Sequence, residues 1–243
     1  FGLPFQEIED VIDTIEKTKS IQPDRLAFYS YAHVPWIKGN GQRGFNDEDI
    51  PKDDKKRMLY ETGKKLLFEN GYHEIGMDHF ALKSDSLFDS FEKGKLHRNF
   101  MGYSSSKTQL MIGLGVSSIS DSWYSFAQNV ETVEEYQELV SQNIIPVYRG
   151  HVLNDEDLMI RKHILNLMCQ LETSWHEPEN RFAELPAVLL KLREMEPDGL
   201  LLFTHSGIQV TETGRPFVRN ICMAFDLLLK RKAPETALFS MTV

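Results

Sequence analysis

Apolar residues recur at positions 8, 11, 12 and 15 of Ile8–Thr18, a spacing that turns one helix face inward and predicts a short amphipathic helix. Pro23 and Asp24 break that period, and the aromatic-rich run RLAFYSYAHVP (25–35) reads as a strand. Lys52–Asn70 returns to helical spacing, with Met58, Leu59, Leu66 and Leu67 on its apolar side and Asn70-Gly71 as the stop. Between them, 36–51 mixes glycine, proline, asparagine and acids, and reads as a long loop of the kind that covers or binds. YHEIGMDHFAL (72–82) is a second expected strand, followed by a helix over Ser84–Lys93. TQLMIGLGVSSIS (108–120) reads as a strand punctuated by Gly113 and Gly115, Thr132–Ser141 as a helix, and Pro146–Leu153 as a further strand.

The pattern changes at Asn154, a good N-cap for a helix from about Asp155 to Leu171. Helices at 183–195 and 212–231 flank DGLLLFTHSGIQVT (198–211), two apolar runs around Thr204–Gly207. Helix, helix, hairpin and helix predict a small winged-helix-like unit. The expected organisation is an alternating β/α part over 1–153 and a mainly helical part over 154–243.

A chain of 243 residues suits one large domain or two small ones. No apolar run approaches the roughly 20 residues that span a bilayer. FGLPFQEIEDVI lacks the basic head and apolar stretch of a signal peptide, and FGLP reads as the exit of a strand from a preceding half. The balance of 27 basic against 36 acidic residues gives a net charge of −9, which argues against a general nucleic-acid footprint and leaves only the patch Lys230-Arg231-Lys232. The apolar face expected of the last helix (Ile221, Phe225, Leu228, Leu229) reads as core rather than as a DNA-reading surface. Cys169 and Cys222 lie in apolar runs and read as buried, reduced thiols of a cytoplasmic protein. Cysteine and histidine show no zinc or iron–sulfur spacing, so no metal ligand is assigned.

Three expected strand ends carry polar residues that packing does not require: Tyr31-Ala32-His33, Asp78-His79-Phe80 and His97-Arg98-Asn99. In α/β folds, ligands sit outside the carboxyl ends of strands, so such ends converge on one site. Arg98 is the natural contact for a carboxylate or phosphate, because its planar fork binds such groups through two bonds. Gly113 and Gly115 allow close backbone approach, without the third glycine of a dinucleotide fingerprint. Ser117, Ser118 and Ser120 lack the context of a nucleophile elbow.

GLPFQ (2–6), YAHVP (31–35), GMDHFAL (76–82), LHRNFMGY (96–103), GLGVSSIS (113–120), AQN (127–129), RG (149–150) and GIQVTETGRPFVRNICMAFD (207–226) occur in that order. Together they resemble the C-terminal half of the oxygen-independent coproporphyrinogen III oxidases, radical S-adenosylmethionine enzymes of haem biosynthesis. The related haem-chaperone-like proteins share the GLP turn, but have other blocks in place of GMDHFA and LHRNFMGY. The resemblance implies an α/β fragment: the last part of a partial (β/α)6 radical-SAM barrel, then a mainly helical domain with the winged-helix-like hairpin, covering the active site.

The family reaction converts two propionates of coproporphyrinogen III to vinyl groups, giving protoporphyrinogen IX. A 4Fe–4S cluster cleaves S-adenosylmethionine, the resulting radical takes a hydrogen from the propionate β-carbon, and carbon dioxide and one electron leave. The resemblance places Ala32 and Ile119 at S-adenosylmethionine contacts, and His79, Arg98 and Asn99 are the substrate-binding candidates. No catalytic residue is assigned. The cluster cysteines belong upstream, so this chain alone is expected to be inactive. The resemblance further implies a cytoplasmic monomer with no nucleic-acid or membrane partner. A non-enzymatic haem or porphyrin carrier is the rival reading.

Overall fold

The computed structural model describes residues 1–35, 42 and 44–232. The expected loop over 36–51 and the chain beyond Lys232 therefore lie partly or wholly outside the described residues. Helix α1 (Ile8–Ile21) starts with Asp10 reaching back to accept from the Glu7 amide at 2.8 Å, one half of a capping box. Its Val11 and Ile15 pack with Leu59 and Leu67 of α2 (Asp53–Glu69) in a core that also takes Tyr72 and Phe80. Ile12 and Met58, expected on the inner faces, are turned outward.

The strand expected over 25–35 is regular only in β1 (Arg25–Ala27). Beyond it the backbone bonds singly, Phe28 N to Asp78 O at 2.7 Å and Tyr31 N to Phe1 O at 2.7 Å. Residues 72–82 form a hairpin instead of one strand, β2 (Tyr72–Gly76) and β3 (His79–Leu82). The two join through Met77 and Asp78, both left-handed at φ 36° and 65°. The turn carries no Asn-Gly or Asp-Gly pair, the usual mark of a two-residue hairpin. β3 is the centre of an antiparallel sheet in the order β1-β3-β2. Asp85 then caps α3 (Ser86–Glu92) and also binds Arg25 Nε at 2.8 Å, tying the helix to β1.

β4 (His97–Asn99) and β5 (Gly102–Ser104) form a tight hairpin that sets Arg98 opposite Tyr103. A second antiparallel sheet follows in chain order: β6 (Leu110–Met111), β7 (Ile119–Ser122), β8 (Ser125–Asn129) and β9 (Val147–Val152). The strand expected over 108–120 is regular only at its two ends, because Gly115, at φ 101°, takes the chain out of the strand conformation. α4 (Val133–Ser141) lies in the β8–β9 connection.

Asn154 caps α5 (Asp155–Gln170) as expected, its Oδ1 accepting from the Asp157 amide at 2.9 Å. The C-terminal hairpin gains a third strand, β10 (Glu172–Ser174). After α6 (Leu185–Met195), β11 (Leu201–Phe203) and β12 (Gly207–Val210) complete the antiparallel order β10-β12-β11. The helix expected over 212–231 splits into a 3-10 turn (Arg215–Phe217), α7 (Val218–Met223) and α8 (Leu227–Lys232). Asp226 restarts the helix by accepting from the Leu229 amide at 2.8 Å. Ile221, Phe225 and Leu227 enter the main core with Leu167, Leu192 and Ile208, while Leu228, expected to be buried, is exposed. Arg231, the middle of the basic tail, is paired with Glu156 and Glu184.

Among the described residues every ladder is antiparallel and no sheet closes into a barrel. None of their helices is long and apolar enough to cross a membrane. A third core joins Ile75, Ala81, Leu87, Leu96 and Tyr103 to Cys169 of α5, so packing is continuous across Asn154.

Candidate functional site: the Arg98 hairpin and its cavity

Alternation along β4–β5 places Arg98 and Tyr103 side by side, and the guanidinium lies over the phenol ring at 4.7 Å. Arg98 Nη1 is buried without a hydrogen-bond partner. Such a donor is costly to leave unmet and marks a place where a ligand acceptor fits. Tyr103 is itself fixed, its hydroxyl donating to Met168 O of α5 at 2.9 Å, and burial pushes the phenol well above its usual range. Gly76 permits this arrangement: a Cβ there would stand 2.6 Å from the Tyr103 hydroxyl.

His79 meets Tyr103 edge-on, with ring centroids 5.2 Å apart. Its Nδ1 lies 2.8 Å from Met77 O, which can only accept, so the proton sits on Nδ1. Nε2 is then free to accept from the Tyr29 hydroxyl at 3.1 Å. Burial lowers the imidazole pKa, which keeps it neutral. Asn99 accepts from the Met101 amide at 3.0 Å and shapes the hairpin turn. That turn is anchored from below by Asp121, which accepts from the Phe100 amide at 3.1 Å and, through its other oxygen, from Arg161 Nη2 at 2.9 Å. Arg161 also donates to Ser122 O at 2.7 Å and lies over the Phe126 ring at 4.9 Å, so it joins α5 to the β7–β8 turn.

Between this hairpin, β8 and helices α5 and α8 lies a cavity of about 520 Å³. Phe126, Ile160, Ile164 and Leu228 supply apolar walls, and Arg98 and Asn99 stand at its edge. Charged residues of both signs also line it, Asp121, Glu156, Asp157 and Asp226 beside Arg98, Arg161 and Arg231. Arg98 forms no ion pair with Asp78 among the described residues, so no such pair ties β4 to the β2–β3 turn. Asp78 is nevertheless close enough to feel it: burial and the Glu74 carboxylate push its carboxyl up to about 6, against the opposing pull of the Phe1 amino group, Arg219 and Arg98.

The three expected strand ends fare differently. His79 and Arg98 converge on the two sides of Tyr103, with Asn99 adjoining. His97 is buried in its ladder, and His33 is taken by Asp47 at 3.0 Å. Ala32 is exposed, its carbonyl accepting from Gln42 Nε2 at 2.9 Å. Ile119 lines a separate hollow of about 230 Å³ with Gln128 and Arg149. Gln128 takes two bonds from the Arg149 guanidinium. That hollow offers apolar and amide contacts. The sequence reading missed Tyr103, Asp121 and Arg161; Tyr103 stood inside LHRNFMGY, whereas Arg161 is one charge in an ordinary helix.

The chain does not fit an iron–sulfur cluster. Its two cysteines are both buried, with burial pushing each thiol up to about 12, so neither is a ready thiolate ligand. Among the described residues no group of three or more His, Cys, Asp or Glu side chains is placed to hold a metal ion.

No protein-family model matches the chain. A solved structure does: coproporphyrinogen III oxidase from Escherichia coli, a radical SAM enzyme, superposes with a TM-score of 0.84 at 35% identity over 94% of this chain and 54% of its own. The fold is therefore that of part of a radical SAM enzyme. The oxygen-independent coproporphyrinogen III oxidase of Helicobacter pylori is 35% identical over 95% of this chain and 51% of its own length. Those of Synechocystis and Escherichia coli are 34% and 37% identical over 97% and 96% of this chain, and 52% of each relative. The chain is a homologue of the oxygen-independent coproporphyrinogen III oxidases and spans about half the length of the curated relatives it matches. The resemblance read from its motifs is borne out.

Proposed function

We propose that this chain is the C-terminal portion of an oxygen-independent coproporphyrinogen III oxidase, and that it supplies the substrate-holding side of the site. The observation that carries this reading is the buried, unpartnered Nη1 of Arg98 at the edge of an apolar cavity in a homologue of these oxidases. A porphyrinogen brings both an apolar ring system and carboxylates. The cavity walls take the first and Arg98 pairs with a propionate, while Asn99 shapes the rim and neutral His79 orients through Tyr29 and Tyr103. S-adenosylmethionine and the cluster, when bound in the whole protein, supply the radical chemistry that removes hydrogen from the propionate.

The same proposal includes the finer architecture: residues 1–153 as the end of a partial (β/α)6 barrel, residues 154–243 as its cover, and a cytoplasmic monomer. Ala32 and Ile119 remain the proposed S-adenosylmethionine contacts. In the whole protein, Ala32→Trp is expected to weaken S-adenosylmethionine binding while leaving thermal stability near wild type, since Ala32 is exposed. Unchanged affinity in equilibrium dialysis removes Ala32 from the site. The carrier reading is not favoured, because the relatives are oxidases and both thiols are buried.

Arg98 gives the direct test. Arg98→Ala should weaken binding of coproporphyrin III, a stable tetracarboxylate probe, by about 1.5–3 kcal/mol, the range of a charge-assisted hydrogen bond. Arg98→Lys keeps the charge, loses the fork and should fall between. Fluorescence titration reads both. If affinity is unchanged while melting temperature falls, Arg98 is a strut.

A further inference from the structure

We propose that His151 is a second carboxylate contact of this cavity, holding a different propionate of the tetrapyrrole from the one that meets Arg98. This deepens the proposed function and rests on it. The ladder registers place the imidazole. Asp121 of β7 pairs with Phe126 of β8, and Phe126 with His151 of β9, so their side chains form one row on the same face of the sheet. All of that row lines the cavity. Helix α5 clamps both ends of it from positions one turn apart. Arg161 Nη2 donates to Asp121 at 2.9 Å, and Asp157 Oδ2 meets His151 Nε2 at 2.9 Å.

The second of these bonds decides what the ring can offer. A carboxylate only accepts, so His151 Nε2 carries a proton. Asp157 is itself fixed, since the same oxygen accepts from the Asn154 amide at 3.1 Å. Nδ1 is left without a hydrogen-bond partner among the described residues, on a half-exposed side chain that a ligand can reach. A ligand carboxylate at Nδ1 sets the imidazole between two anions, the arrangement that favours its doubly protonated, donating form. Other charges of the cavity are already answered: Asp121 has Arg161, Glu156 has Arg231, and Asp226 accepts from the Leu229 amide. Arg98 and His151 are therefore the donors left open to an incoming anion. The tip of the Arg98 hairpin is tied to Asp121 of β7 through the Phe100 amide, and His151 stands two strands away on β9. At about 4.8 Å per strand the separation is roughly 10 Å, too far for one carboxylate to bridge. A tetracarboxylate lying against Phe126 can place one group on each side.

Fluorescence titration of this chain with coproporphyrin III tests the assignment. His151→Phe, which keeps the bulk of the wall and removes Nδ1, is expected to lower affinity about fivefold, the modest loss of a half-exposed charged contact. His151→Lys restores a cation and should recover most of it, although it fills the wall no better than phenylalanine. Arg98→Ala combined with His151→Phe should lose the product of the two single effects, because separate carboxylates are held. Melting temperatures check that each variant is folded. A loss that lysine does not recover makes His151 a wall residue and overturns its role. A double variant no worse than the weaker single variant overturns the assignment of two carboxylates. Full affinity in folded His151→Phe, with Arg98→Ala still impaired, overturns His151 and leaves the tetrapyrrole site standing. Absence of wild-type binding overturns the site and His151 with it.

Discussion

Arg161→Ala is expected to lower stability by about 3–5 kcal/mol, the usual consequence of removing one partner from a buried ion pair. Asp121 is 6% exposed and would lose its ion-pair partner. The carbonyl of Ser122 would lose its donor as well, and the Phe126 ring its covering guanidinium. The effect should reach the site, because Asp121 also holds the Phe100 amide at the tip of the Arg98 hairpin. Urea denaturation of wild type and variant measures the loss. Arg161→Met combined with Asp121→Leu, which removes both charges, should recover part of it. A loss below about 1 kcal/mol would mean that water reaches the pair and screens it.

Asp78→Asn is expected to stabilise the chain at neutral and alkaline pH and to change little near pH 4. The carboxyl rises from an unfolded value of 3.8 to about 6 on folding. Between those values the folded state binds the extra proton, so stability from this group is greatest below 3.8 and is lost as pH rises through 6. A shift of two units corresponds to roughly 3 kcal/mol as an upper bound, since the site is not fully enclosed. Melting temperatures across about pH 4 to 8 read the difference between variant and wild type. An offset that does not change with pH would assign the gain to packing.

The helices and the resemblance were the legible part of this chain. Asn154 and α5 stand where the capping rule put them, because capping is local chemistry written in adjacent residues. The strands were less readable. Residues 72–82 read as one strand, and the left-handed Met77 and Asp78 fold them into a hairpin. The long helix expected over 212–231 broke because Asp226, an ordinary polar residue in the pattern, caps a new one. Within the site, His79 and Arg98 stand out as polar residues that packing does not need. Nothing in the pattern singles out Tyr103, which lies between them, since its bond to Met168 O spans 65 residues of sequence. Pairings at that distance leave no periodic trace.

The stacking of Arg98 on Tyr103 has a consequence for the thermodynamics of recognition. A free arginine surrenders up to about 2 kcal/mol of rotamer freedom when it is immobilised. Here that loss is taken during folding: the ring lies beneath the guanidinium, Gly76 lets the ring sit where it does, and α5 holds the phenol hydroxyl. A carboxylate arriving at Nη1 therefore meets a donor already ordered and already stripped of water. More of the pairing energy is left to appear as affinity, and a misfitting anion gains little from a side chain that does not follow it.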